Sequence, residues 1–85
     1  MPRSVFSKTY GELLRALIDA RDAAGLTQTD VAQRLRKPQS FVSKVERGER
    51  RLDVIEFLLV ARVVGADGAE MIREIAKHLP SDLSI

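Results

Sequence analysis

The stretch LTQTDVAQRLRKPQSFVSKVERGER, from Leu26 to Arg50, constrains the fold more than any other part of the chain. It holds two apolar-patterned segments, one on each side of Pro38. Each is shorter than the roughly 12 residues an isolated helix needs to persist in water. Neither can stand alone. Each must lean on the other and on a scaffold built from the rest of an 85-residue chain. That length suits one small domain, 1–85, and no linker, repeat or low-complexity segment divides it.

The scaffold reads as helices. Ser7 is placed to cap a first helix, in which Tyr10, Leu13, Leu14, Leu17 and Ile18 keep three-four spacing and after which Gly25 fits as the terminating residue. Thr27 opens a second helix, with Asp30 as its capping-box partner and Val31, Ala32 and Leu35 as the inner stripe. Pro38 suits the first position of a third, which carries Val42 and Val45 inward and closes at Gly48. Asp53 with Glu56 signals a fourth helix, running to about Val64 and stopped by Gly65. Asp67 with Glu70 signals a fifth, with Ile72, Ile75, Ala76 and Leu79 inward and Pro80 as its end. No stretch alternates with period two, so the expected fold is all-α, with five helices.

Several function classes find no support. Cysteine is absent, which removes disulfides and thiolate metal sites and is compatible with a reducing compartment. The longest unbroken apolar run, Phe57 to Ala61, is far short of the ~20 residues of a membrane span. Residues 1–10 carry no apolar core of signal-peptide length, so the expectation is a cytoplasmic protein with no membrane partner. The single histidine, His78, suits a cation at the negative end of the fifth helix. No serine has a nearby base, and neither a Gly-rich phosphate loop nor metal-ligand spacing occurs. No enzyme activity, catalytic residue, metal or cofactor is expected.

Charge is unevenly spread. Residues 27–51 hold seven basic and three acidic side chains, whereas residues 52–85 hold three basic and six acidic. A basic middle beside an acidic tail is what one face meeting a polyanion would produce, and also what a solvated polar face can produce.

Helix, tight connection, helix is helix-turn-helix geometry, and Ala32 is small where the second helix must approach the third. Leu26-Thr27-Gln28, Val31-Ala32, Leu35, Gln39, Val42-Ser43, Val45-Glu46 and Gly48, with Leu58, Ala61 and Gly65 beyond them, carry a resemblance. The chain resembles the Cro and lambdoid-repressor type of DNA-binding domain, the XRE family, over about residues 10–79, with the motif at about 27–48. The resemblance implies a compact five-helix, lambda-repressor-like domain. It implies a sequence-specific transcriptional regulator that binds double-stranded operator DNA as a homodimer, with the third helix in the major groove. Carried over by position, it makes Gln39, Ser40, Ser43 and Lys44 base readers. The chemistry agrees, since Gln can bind adenine bidentately, Ser can donate or accept, and Lys can reach guanine acceptors. Gln28 matches a phosphate-contacting position at a helix N-terminus, where free N–H groups favour an anion. Arg36, Lys37, Arg47, Arg50 and Arg51 fall where backbone phosphates would pass. Arg21 and Glu46 match an internal ion pair, and both continue inner stripes, where two charges are tolerated only if they meet.

Two positions depart from the family pattern: Arg36 stands where glycine is usual at the turn, and Pro38 where serine or threonine usually caps the recognition helix. Either Arg36 is left-handed, at a cost of roughly 1–2 kcal/mol, or the turn has another shape. Phe41 lies outside the Val42–Val45 stripe and is expected to pack on the Gly48–Leu52 loop, with a thymine methyl or a partner as alternatives. From Asp53 to Val64, nine of twelve residues are apolar. A helix apolar all round should be buried all round, so dimerisation through helix four or five is expected, with Met71, Leu83 and Ile85 supplying part of the cover. The rival reading is a helical adaptor or an antitoxin, whose only candidate toxin-wrapping segment is Ser81 to Ile85 within the tail, 80–85.

Overall fold

The structure, a computed structural model, describes residues 5–81, and these form five helices and no strand. They are α1 (Val5–Ala23), α2 (Gln28–Leu35), α3 (Gln39–Glu46), α4 (Val54–Val63) and α5 (Gly68–Ala76). Leu83 and Ile85, expected to help cover the fourth helix, lie outside the described residues, as does all of the tail beyond Ser81.

The local start signals act as written. Thr27 Oγ1 accepts the Asp30 N–H, and the Asp30 carboxylate accepts the Thr27 N–H. Asp53 and Glu56 make the same reciprocal pair at α4. Asp67 caps α5 by accepting the Glu70 N–H. Such caps are worth about 1 kcal/mol each. Two starts differ from expectation. α1 begins at Val5, so Ser7 lies inside its first turn rather than ahead of it. Pro38 is the N-cap of α3 (φ −68°, ψ 155°), not its first helical residue, and it makes no side-chain hydrogen bond there. With no side-chain cap acceptor, the entry into α3 rests on proline's fixed φ and on the Pro38 carbonyl accepting the Phe41 N–H at 2.9 Å.

α2 and α3 end alike with different residues. At Gly48 (φ +77°) the N–H groups of Gly48 and Glu49 turn back to the carbonyls of Val45 and Lys44. At Arg36 (φ 57°, ψ 44°) those of Arg36 and Lys37 turn back to Gln33 and Ala32. Both are Schellman endings. The turn has therefore not been rebuilt. Arg36 takes the conformation a glycine would take, and carries the roughly 1–2 kcal/mol cost of doing so.

α2 packs on α3 and α4, α1 on α3 and α5, and α4 on α5. Leu17, Val31, Ala32, Val42, Phe57, Ala61 and Val64 form one buried cluster, and Leu14 and Val45 are buried as well. Full burial of a Val, Leu or Phe side chain contributes about 1.5–3 kcal/mol, so this cluster supplies the support the two short helices lack. At the start of α5, a Cβ added to Gly68 would lie 2.9 Å from Leu58 Cδ2 and 3.1 Å from Ala61 Cβ. The missing side chain lets α5 cross α4 closely. That crossing changes the expected inner stripe of α5: Gly68 is buried and Met71 and Ile75 are partly so, while Ile72, Ala76 and Leu79 are exposed. The helix also ends at Ala76, before the turn that would have brought Leu79 back to the stripe.

Candidate nucleic-acid interface

α3 is exposed along Gln39, Ser40 and Lys44 while Val42 and Val45 fasten it from below. A line of polar contacts that begins on α1 runs to the N-terminus of α3. Arg21 donates through Nε and Nη2 to the two oxygens of Glu46, at 2.7 and 2.9 Å, and through Nη1 to the Leu26 carbonyl at 2.9 Å. Both partners are only 14% exposed. The expected ion pair is present and ties α1 to the end of α3. Glu46 pushes the Arg21 guanidinium above the ordinary arginine range, chiefly through this hydrogen bond. Gln28 Nε2 then donates to Glu46 Oε1 at 2.8 Å, and Gln39 Nε2 donates to Gln28 Oε1 at 2.6 Å.

The polarity of that line follows from one group. A carboxylate only accepts, so Gln28 must turn its NH2 toward Glu46 and its carbonyl toward Gln39. Gln39 must then spend one N–H on Gln28. It keeps its carbonyl oxygen and its other N–H for a ligand, the donor and acceptor pair that adenine N7 and N6 require. Gln28, expected at phosphate, has its carbonyl and one N–H engaged within the protein and retains one N–H. Nothing in the spacing of residues 28, 39 and 46 pointed to this line. Only the stacking of α2 on α3 brings them together.

The basic residues fall on two sides of α3. On the α1 side, Arg47 and Arg51 line a cleft with Tyr10, Arg15 and Ile18. Arg51 lies 4.6 Å over the Tyr10 ring, and Tyr10 Oη accepts the Leu52 N–H at 3.0 Å. Arg47 pairs with Glu49 at 2.8 Å and also donates to Ser43 Oγ, so that hydroxyl can still donate outward. On the α4 side, Lys37 Nζ and the Arg50 guanidinium lie 5.5 and 5.2 Å from the centre of the Phe41 ring. Phe41 thus packs against the loop after α3, as expected. Arg36, at the left-handed turn, is exposed.

Arg50 is the residue whose surroundings the sequence did not reveal. Its two Nη groups meet the two oxygens of Glu56 at 2.9 and 2.7 Å. Arg50 and the Asp53 N–H hold the Glu56 carboxyl down at about 2. Glu56 reads in the sequence only as a capping residue, and it does cap. That it also faces Arg50 depends on how the loop folds back over the start of α4. His78 follows α5 and lies 3.1 Å from Glu12 of α1. Among the described residues no helix is long and apolar enough to cross a membrane, and no cluster of three or more His, Cys, Asp or Glu could hold a metal ion.

A family model described as a helix-turn-helix domain matches residues 9–73. Among solved structures, an XRE-family like protein from Pseudomonas syringae pv. tomato str. DC3000 is 46% identical and superposes with a TM-score of 0.84. The match covers 89% of this chain and 93% of that one. No curated protein matches the chain.

Proposed function

Since the chain belongs to the XRE-type helix-turn-helix family of DNA-binding regulators, we propose that it binds operator DNA as a homodimer and reads sequence through α3 in the major groove. The observation that carries this reading is Gln39. It stands at the first helical position of α3, exposed, with one amide N–H already committed and a donor–acceptor pair left facing out. Ser40, Ser43 and Lys44 continue the base-reading edge. Gln28, Arg36, Lys37, Arg47 and Arg51 serve the phosphates on either side, where contacts position the protein without specifying sequence. Arg21 and Glu46 touch no DNA in this scheme, and set the angle of α3. The outer face of α4 supports the homodimer: Val54, Ile55, Leu58 and Leu59 are exposed, with Ile55 at 67%. A two-fold pair would set recognition helices about 34 Å apart, one DNA turn. The operator places its action in the cytoplasm.

The test is to select bound sites from a random DNA pool and then compare the selected site with scrambled DNA. Gln39→Ala costs about 1–3 kcal/mol on the selected site and relaxes preference at one base pair per half-site, with little effect on scrambled DNA. Arg51→Ala weakens both and flattens the salt slope by about one unit per half-site. Equal losses on the two DNAs for Gln39→Ala would put that side chain on phosphate and refute its assignment as the base reader.

A further inference from the structure

Glu56 sets a carboxylate among the cations beside Phe41. Its two oxygens fill the fork of Arg50, and Oε1 also accepts the Asp53 N–H at 2.9 Å. That second bond belongs to the capping box of α4, so the carboxylate is anchored to a helix start and cannot follow Arg50 toward DNA. Arg50 Nη1 also donates to the Arg51 carbonyl, and the guanidinium rests on Phe41. The Nη1–Nη2 end of the guanidinium is therefore occupied, and only its Nε–Nη2 edge keeps donors without a partner inside the protein. A phosphate competing for it must break a bidentate, charge-assisted pair. Arg51, the next residue, lies on an uncharged ring instead.

We infer that Glu56 limits the sequence-independent grip of this protein on DNA by holding Arg50 off the phosphate backbone, an inference that rests on the DNA-binding reading above. Each phosphate contact strengthens binding to every sequence alike, so withholding one leaves a larger share of the binding free energy to the base readers of α3. Arg50, matched by sequence to a phosphate position, is on this account a cation held in reserve by its own fold.

Glu56→Gln tests it, because the amide keeps an oxygen for the Asp53 N–H while losing the charge. Binding of a labelled duplex of scrambled sequence is titrated across a salt series, with circular dichroism as the check on folding. The log–log salt slope should steepen by about one unit per protomer, and binding near 0.1 M salt should tighten on the order of tenfold per protomer. Adding Arg50→Ala to Glu56→Gln should return both to the wild-type values. Arg50→Ala alone, which is measurable whatever Glu56→Gln does to folding, should move the slope less than half as far. An unchanged slope in folded Glu56→Gln overturns the inference, as does a gain that survives Arg50→Ala. So does a full unit lost in Arg50→Ala alone, since Arg50 would then already be on a phosphate. In each of these cases wild-type binding, and the functional reading with it, still stands. A wild-type chain that binds no duplex even at low salt overturns both.

Discussion

The α2–α3 face and the outer face of α4 both meet solvent, yet they are built in opposite ways. On the first, polar side chains have already chosen their partners, from Arg21 through Glu46 and Gln28 to Gln39. On the second, Ile55 and Leu59 are 67% and 46% exposed. A surface of the first kind recognises by preorganisation, because little side-chain freedom remains to be lost on binding. A surface of the second kind associates by removing apolar area from water. On the function proposed above, the contrast separates specificity from assembly. It also predicts that substitutions on the two faces fail differently.

Glu46→Ala should have the largest effect on the folded chain. It leaves the largely buried Arg21 with only the exposed Asp22 carboxylate at 3.4 Å and the Leu26 carbonyl, and should destabilise by up to about 3–5 kcal/mol in denaturant unfolding. A loss below about half a kcal/mol, the usual result for an exposed pair, would mean that the polar face is not braced from within.

Leu59→Ala should act on assembly instead. In a two-fold interface the substitution occurs twice, so the dimer should weaken by about 2–4 kcal/mol while the monomer fold is nearly unaffected. Sedimentation of both proteins across a concentration series reads this. Identical monomer–dimer behaviour would remove Leu59 from the interface, and a wild-type monomer on and off DNA would remove the dimer.

Arg36→Gly sits between the faces, at the turn joining α2 to α3. Relief of a left-handed non-glycine residue should raise stability by about 1 kcal/mol, partly offset by the freedom glycine adds to the unfolded chain. DNA affinity should fall at the same time if the lost charge faces phosphate. Thermal unfolding and a binding titration on one preparation separate the two, and lower stability would contradict the strain argument.

The smallest effect is a pH slope. The Glu56 carboxyl is lowered from 4.5 to about 2, so its contribution is fully present above pH 4.5 and is lost as pH falls toward 2. Wild-type melting temperature should therefore drop faster than that of Glu56→Gln across this window. Parallel curves would show that the Arg50–Glu56 pair adds nothing to folding.

Where a cap and its partner stand three positions apart, the sequence alone determined the helix start, whereas α1 and α3 begin elsewhere than Ser7 and Pro38 implied. Thr27 with Asp30 and Asp53 with Glu56 start helices because a cap and its partner are three positions apart in any fold. Val31, Ala32, Val42 and Val45 face the core because helical spacing leaves them together on one side. The ion pair of Arg21 and Glu46 was legible through the family resemblance, with their places on inner stripes agreeing, since two charges on inner faces have to meet. Tertiary structure decided what depends on how elements cross. Gly68 moved the inner stripe of α5 off Ile72, Ala76 and Leu79 and onto Met71, leaving only Ile75 where it was expected, because closeness to Ala61 rather than side-chain apolarity chose the contact. It also decided which ends of Gln28 and Gln39 point outward, and that Arg50 meets Glu56. A side-chain hydrogen bond needs its atoms within about 3 Å and suitably aimed. No spacing along the chain can supply that until the helices are packed.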